Sequence, residues 1–414
     1  MKPIETQDRT TRRLADILRS RLCWLGASPL ESGRFHQRAP SEACRESSTH
    51  RTRTERKLAP LAAFLILLNS CGAADRLAWR QLSLDLRNFY VSGAGSRIGV
   101  DTWAVGSISV YQQDRGWMPV SAAAERLYGG RWVRYRLPSV GQLPRYNAIA
   151  SLSASDAWAV GDVLDGTALV AQWDGHRWLA RPTIHTADEQ VYLDGLAGKS
   201  DQDIWAVGWE LSVRPFGEQT PLAAHWNGIA WSTYEFNRIP GALHGVAIVS
   251  SDDVWAVGDN NGKVATMHWD GQRWSTFTAS RPISGSLNAI SFDSRSDIWA
   301  VGGEPTESRD KVRPLVEHWN GVRWSDVPTA LRAGGLNGVT LVSSSDIWAV
   351  GTTSGDVGSQ NILILHWDGH AWSVADAPTV RGSLNAVVQG AAAGDEIAVG
   401  GVSDGSSGLI LSTS

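Results

Sequence analysis

The chain has 414 residues, with 42 Gly, 21 Trp and only 3 Cys, a composition suited to short strands, tight turns and repeated aromatic anchors. Residues 1–70 hold 13 of the 38 Lys+Arg and 7 of the 42 Asp+Glu, so the remainder carries 25 basic against 35 acidic side chains. That acidic body excludes a nucleic-acid partner held mainly through its phosphates.

Residues 1–57 are Arg-rich and show no sustained periodicity, so they are set aside from the fold as an N-terminal extension or a start assigned too early. A basic run, Arg51-Thr-Arg-Thr-Glu-Arg-Lys57, then precedes eleven residues, Leu58 to Leu68, that are apolar but for little. This is the pattern of a secretory signal peptide, and it is shorter than the ~20 residues of a membrane-spanning helix. The segment 58–71 ends Leu68-Asn-Ser-Cys71, which resembles the lipobox of bacterial lipoproteins, with Asn69 departing from the usual small or apolar residue. The resemblance implies a lipidated Cys71 as the mature N-terminus and a membrane-anchored, extracytoplasmic protein. A plain secreted protein is the alternative. In the lipoprotein reading Cys23 and Cys44 are removed, and the fold has no disulfide to lean on.

From residue 76 onward one phrase recurs. Asp101-Thr-Trp-Ala-Val-Gly106 returns at 156–161, 203–208, 253–258, 297–302 and 346–351, and as Asp395-Glu-Ile-Ala-Val-Gly400 with Ile397 in the Trp position. The anchors 103, 158, 205, 255, 299, 348 and 397 are 44 to 55 residues apart, close to the repeat length of propeller blades. A second phrase, of the form His268-Trp-Asp-Gly-Gln-Arg-Trp274, follows in five units, with a worn copy at 126–132. Its Asp-Gly or Asn-Gly predicts a two-residue hairpin turn with positive φ at both central positions.

One unit then reads as strand A at 287–292, strand B at 298–302, strand C at 315–319 and strand D from about Trp324. The Asp before strand B is expected to accept bonds from turn amides. The fold predicted for 76–414 is all-β, a seven-bladed β-propeller of four-stranded antiparallel blades. Six or eight blades stay open, because residues 86–100 are degenerate. The last unit lacks a strand D, and residues 76–84 supply a spare one that would close the ring and hide open edges. With these phrases in view, the repeats resemble those of bacterial WAVG propeller proteins, in the broad Kelch and galactose-oxidase-like group.

A four-stranded blade puts A–B and C–D turns on one face and B–C and D–A connections on the other. Here the second face is variable, which makes it the place to expect recognition. Eleven residues before the anchors, or twelve before Ile397, stand Ser92, Asn147, Asp194, His244, Asn288, Asn337 and Asn385. All are polar and near the start of strand A, so they form either a ligand ring at the channel mouth or a set of repeated structural hydrogen bonds. Arg145, Arg181, Arg238, Arg281, Arg332 and Arg381 recur in the D–A connections and would suit an acidic group if they converge, or are solvated surface arginines. Tyr146, Tyr192 and Trp209 offer stacking faces or core packing. His225, His268, His318 and His366 occupy one place in successive blades, so they are spread apart, and no metal site is expected.

The sequence carries no HExxH, GxSxG or CxxC motif. The copper and Tyr–Cys chemistry of galactose oxidase does not carry over to a mature chain whose cysteine is Cys71. No catalytic set and no cofactor are expected. The reading is a monomeric, non-catalytic binding or scaffold propeller that recognises an extracellular protein or glycan through its B–C and D–A loops, without nucleic acid. The alternative is a glycosidase or lyase with its site at the channel mouth.

Overall fold

The computed structural model describes residues 78–82, 84–114, 116–186, 189–212, 217–236, 240–277, 282–307, 311–353, 359–392 and 394–414. The expected signal segment and Cys71 lie outside them. The described chain is all-β. Seven four-stranded antiparallel sheets follow one another as the blades of a propeller. Blade 1 has strands A Phe89–Arg97, B Asp101–Gln112, C Gly116–Tyr128 and D Arg131–Arg136. Blades 2 to 6 occupy residues 145–180, 189–235, 241–277, 286–326 and 335–374. Blade 7 takes strands A to C from Gly382–Gln389, Glu396–Val402 and Gly408–Ser412, and its fourth strand from Arg80–Gln81, with Arg80 opposite Ser412.

The tryptophans explain why the units stack. Each anchor Trp of strand B lies edge-on to the strand-D Trp of the next blade: Trp103 on Trp178 at 5.2 Å, Trp205 on Trp274 at 5.3 Å, Trp255 on Trp324 at 5.5 Å. Trp348 of blade 6 finds the same partner in Trp79 of the N-terminal strand, at 5.3 Å and 77°. Trp79 thus fills the strand-D slot of blade 7. The seventh interface has Ile in the anchor place: Ile397, Val399 and Ile410 pack on Phe89, Val91 and Ala104 of blade 1. That is where the Trp of the repeat becomes Ile.

The Gly of each anchor phrase has a separate cause. A Cβ on Gly106, Gly208, Gly258 or Gly351 would lie 1.9 Å from a strand-A carbonyl oxygen, well inside contact distance. The carbonyl sits there because strand A carries a β-bulge opposite this point in all seven blades. The residue left out of the ladder is Ser92, Asn147, Asp194, His244, Asn288, Asn337 or Asn385. The polar position thus marks a bulge two to five residues inside strand A.

Two local expectations are corrected. The Asp-Gly and Asn-Gly phrases form four-residue loops, since Trp173 pairs with Trp178 and Trp269 with Trp274. Only the Gly has positive φ there, and the Asp or Asn side-chain oxygen accepts from the backbone N–H groups two and three residues on, as Asp174 does from His176 and Arg177, both at 2.8 Å. The two-residue turn occurs instead in the worn copy, where Gly129 and Gly130 have φ of 58° and 75° between Tyr128 and Arg131. The Asp before strand B, in turn, bonds side chains. His225, His268, His318 and His366 each set Nε2 at 2.8–2.9 Å from it and lie over the anchor Trp of their own blade. Gln172 and Arg126 take that place in blades 2 and 1. A carboxylate satisfied by the neighbouring strand has no need of turn amides.

Candidate functional site on the variable face

At a bulge the side chain turns out of its own ladder and can reach the next blade. Asn147 Nδ2 donates to Leu193 O at 2.8 Å, Asn288 to Leu336 O at 2.8 Å, Asn337 to Leu384 O at 2.9 Å and Asn385 to Val91 O at 2.7 Å. Each acceptor is the carbonyl just before the next bulge. The result is a belt of inter-blade hydrogen bonds around the innermost strands, whose donors are already bonded.

The belt changes character between blades 3 and 4. His244 Nδ1 lies 3.2 Å from Asp194 of blade 3, and its Nε2 lies 3.6 Å from Asp259, the residue after the anchor Gly of its own blade. Burial alone would push this imidazole down. The two carboxylates outweigh it and hold the pKa up, at about 9. Asp162, at the matching position of blade 2, is buried and accepts from Arg145 and from Asn147, both at 2.9 Å.

The other expected site residues are dispersed. Arg145 is held by Asp162, and Arg181 by Gln172. Arg332 and Arg381 are exposed, while Arg238 and Arg281 lie outside the described residues. Tyr146 is 1% exposed and its hydroxyl donates to Pro138 O at 2.7 Å. Tyr192 and Trp209 stack on each other at 4.0 Å and are buried. These three rings therefore belong to the packing rather than to an open sugar platform. The four repeated histidines are spread over four blades, each on its own Asp.

A feature that the repeat pattern hid lies at the seam of blades 1 and 7. The B–C hairpin of blade 1 pairs all the way to Gln112 opposite Gly116, longer than any other. Its outer part shows Val110, Tyr111 and Val120 at 41%, 58% and 50% exposure, with Tyr111 edge-on to Trp117 at 5.6 Å. Trp117 leans over the B–C loop of blade 7, where a Cβ on Gly405 would touch its ring. Beneath it opens a cleft of about 510 Å³ lined by Asp85, Arg87, Asn88, Trp117, Arg134 and Ser406. Arg87 grips Asp85 through Nε and Nη2 and lowers its pKa to about 2. Arg134 bonds Glu125 at 2.6 Å and lies over Phe89. Burial holds Glu125 above the usual carboxylate range despite that arginine. Alternating apolar residues in 107–122 were the available signal, unread because the repeat is worn there.

No protein-family model matches the chain, and no curated protein matches it. Among solved structures it is similar to YCF48 from Cyanidioschyzon merolae, at TM-score 0.51 and 14% identity over 81% of this chain and 98% of that one. YCF48 bound to a D1 peptide gives 0.51 and 13%, over 81% and 96%. The likeness shows the propeller fold. The GH74 xyloglucanase of Xanthomonas campestris matches at 0.52 and 12% identity, over 80% of this chain and 53% of its own length. Propellers of this architecture thus include both binding proteins and enzymes.

Proposed function

We propose that this propeller is a non-catalytic binding module whose variable face takes a segment of a protein partner against the blade-1 hairpin. The observation that carries the reading is the exposed outer end of that hairpin, with the Tyr111–Trp117 pair on one face and Val110 on the other, beside a cleft with polar walls. An apolar patch rimmed by polar groups is the usual form of a protein contact. The peptide complex of YCF48 supports the reading as a case of a similar fold holding a polypeptide. An extracellular glycan on the same face is the second binding reading. A carbohydrate-active enzyme at the channel mouth has less support, because Asp162, Asp194 and Asp259 are engaged with Arg145 and His244.

The finer family reading, WAVG-type repeats in the Kelch and galactose-oxidase-like group, rests on the repeat phrases. The extracytoplasmic, lipid-anchored location rests on residues 58–71. Loss of lipid labelling and release from membranes by Cys71→Ala tests that location.

The binding reading is tested with parallel peptide and glycan arrays. Peptide binding that falls at least tenfold in Tyr111→Ala and Trp117→Ala, about 1.4 kcal/mol or more, is the expected result. Binding that is unchanged in both variants, or confined to glycans, refutes the hairpin as a protein contact.

A further inference from the structure

The face opposite the variable loops repeats one set of groups at successive blade boundaries. One side carries the Asp before strand B with its strand-C partner and anchor Trp, and the other carries the A–B turn and strand-C Trp of the next blade. In several places the next blade closes on the carboxylate. Ser151 bonds Asp101 Oδ1 at 2.6 Å, Ser251 bonds Asp203 Oδ2 at 2.6 Å, and Arg295 reaches Asp253 Oδ2 at 3.2 Å. The other oxygen of each is taken from within its own blade.

Between blades 5 and 6, as at Asp156 and Asp346, no group of the next blade closes on the carboxylate among the described residues. Asp297 Oδ1 accepts from Trp299 Nε1 at 2.7 Å and is 2.8 Å from His318 Nε2, while Oδ2 has no partner among the described residues. Ser344 stands where Ser251 and Arg295 stand in their blades, yet its hydroxyl makes no bond to a described residue. Trp367, like Trp269 and Trp319, has an indole N–H without an acceptor among the described residues. Its counterparts Trp173 and Trp226 donate to the carbonyls of Ala154 and Asp201, but its own indole N–H is not sealed from solvent. These groups border one open crevice of about 420 Å³, together with Trp299, His318 and Val327.

The lining sets the ligand class. With the carboxylate fixed by two bonds to Oδ1, its Oδ2 wants a donor, the Ser344 hydroxyl gives and takes, and the Trp367 N–H wants an acceptor. Trp367 and Val327 add apolar surface. The lining holds a carboxylate and neither Lys nor Arg, which disfavours an anion. Adjacent hydroxyls on a ring with an apolar C–H side meet all of these demands.

We propose that the crevice between blades 5 and 6 binds one neutral sugar residue, two neighbouring hydroxyls on Asp297 Oδ2 and Ser344 and the C–H side of the ring against Trp367. The site lies on the other face from the hairpin, so its fate does not decide the reading given above. It would let the protein hold a glycan while the variable face is engaged.

The test is a titration of the full chain with the methyl glycosides of glucose, galactose, mannose and fucose, and with methyl glucuronide, followed by ligand-observed NMR and calorimetry. At least one neutral glycoside is expected to bind with a Kd of about 1 mM or tighter, and the glucuronide more weakly. Ser344→Arg copies the plug that Arg295 gives Asp253. At an exposed turn position it should leave the melting temperature unchanged and weaken binding at least tenfold. No neutral glycoside bound at about 10 mM, equal binding by Ser344→Arg, or a preference for the glucuronide overturns the proposal.

Discussion

The two halves of the inter-blade belt use one backbone device with different chemistry. In blades 5 to 7 the bulge residue is Asn, a neutral donor that meets the next blade's carbonyl. At the boundary of blades 3 and 4 it is Asp194 facing His244, with Asp259 on the far side of the imidazole. The bulge demands only a polar group that reaches sideways. An amide fulfils this at any pH, whereas a histidine between carboxylates ties the joint to its proton. The difference teaches that the ring's regular geometry does not make its joints equivalent.

The largest effect is expected from removing the cation. His244→Ala leaves Asp194 and Asp259 facing each other at a partly buried place, and should lower the unfolding free energy by about 2–4 kcal/mol in urea titrations. A pH series sharpens the contrast. The folded imidazole has a raised pKa, about 9 against 6.5, so its contribution is full below pH 6.5 and is lost as the pH climbs through 9. The wild type should lose about 2–3 kcal/mol across that window. The double variant Asp194→Asn/His244→Asn rebuilds the joint in the amide style and should be flat there. An alkaline decline that persists in the double variant would place the titrating group elsewhere. Smallest is Asn337→Ala, which strands the carbonyl of Leu384 and should cost about 1–2 kcal/mol at every pH between 6 and 9.

The frame was legible in the residues because its causes repeat. Trp and Gly return at fixed places, one to fill the gap between blades and the other to admit a bulge. The missing strand D of the last unit pointed to residues 76–84, and Arg80–Gln81 with Trp79 fill that place. What stayed hidden depends on pairs far apart in sequence. Asn147 and Leu193 are 46 residues apart and meet only once two blades are docked. The Asp203 carboxylate finds His225 across a strand pair, which a local turn rule cannot see. Blade 1's hairpin was obscured for the opposite reason, since it departs from the repeat that made the other blades readable.

The strand that seals the ring also sets an order of events. Arg80 is made among the first described residues and its partner Ser412 among the last, so a chain under synthesis carries an unmated segment until Ser412 has emerged. Non-local pairing of this kind is slow to form and prone to stray association while it waits. Without Leu411 and Ser412 the N-terminal strand would lose its mates, Trp79 its strand's support, and the blade would display an open edge. Docking that strand therefore makes the first and last described strands depend on each other, so that damage at either one opens the same blade.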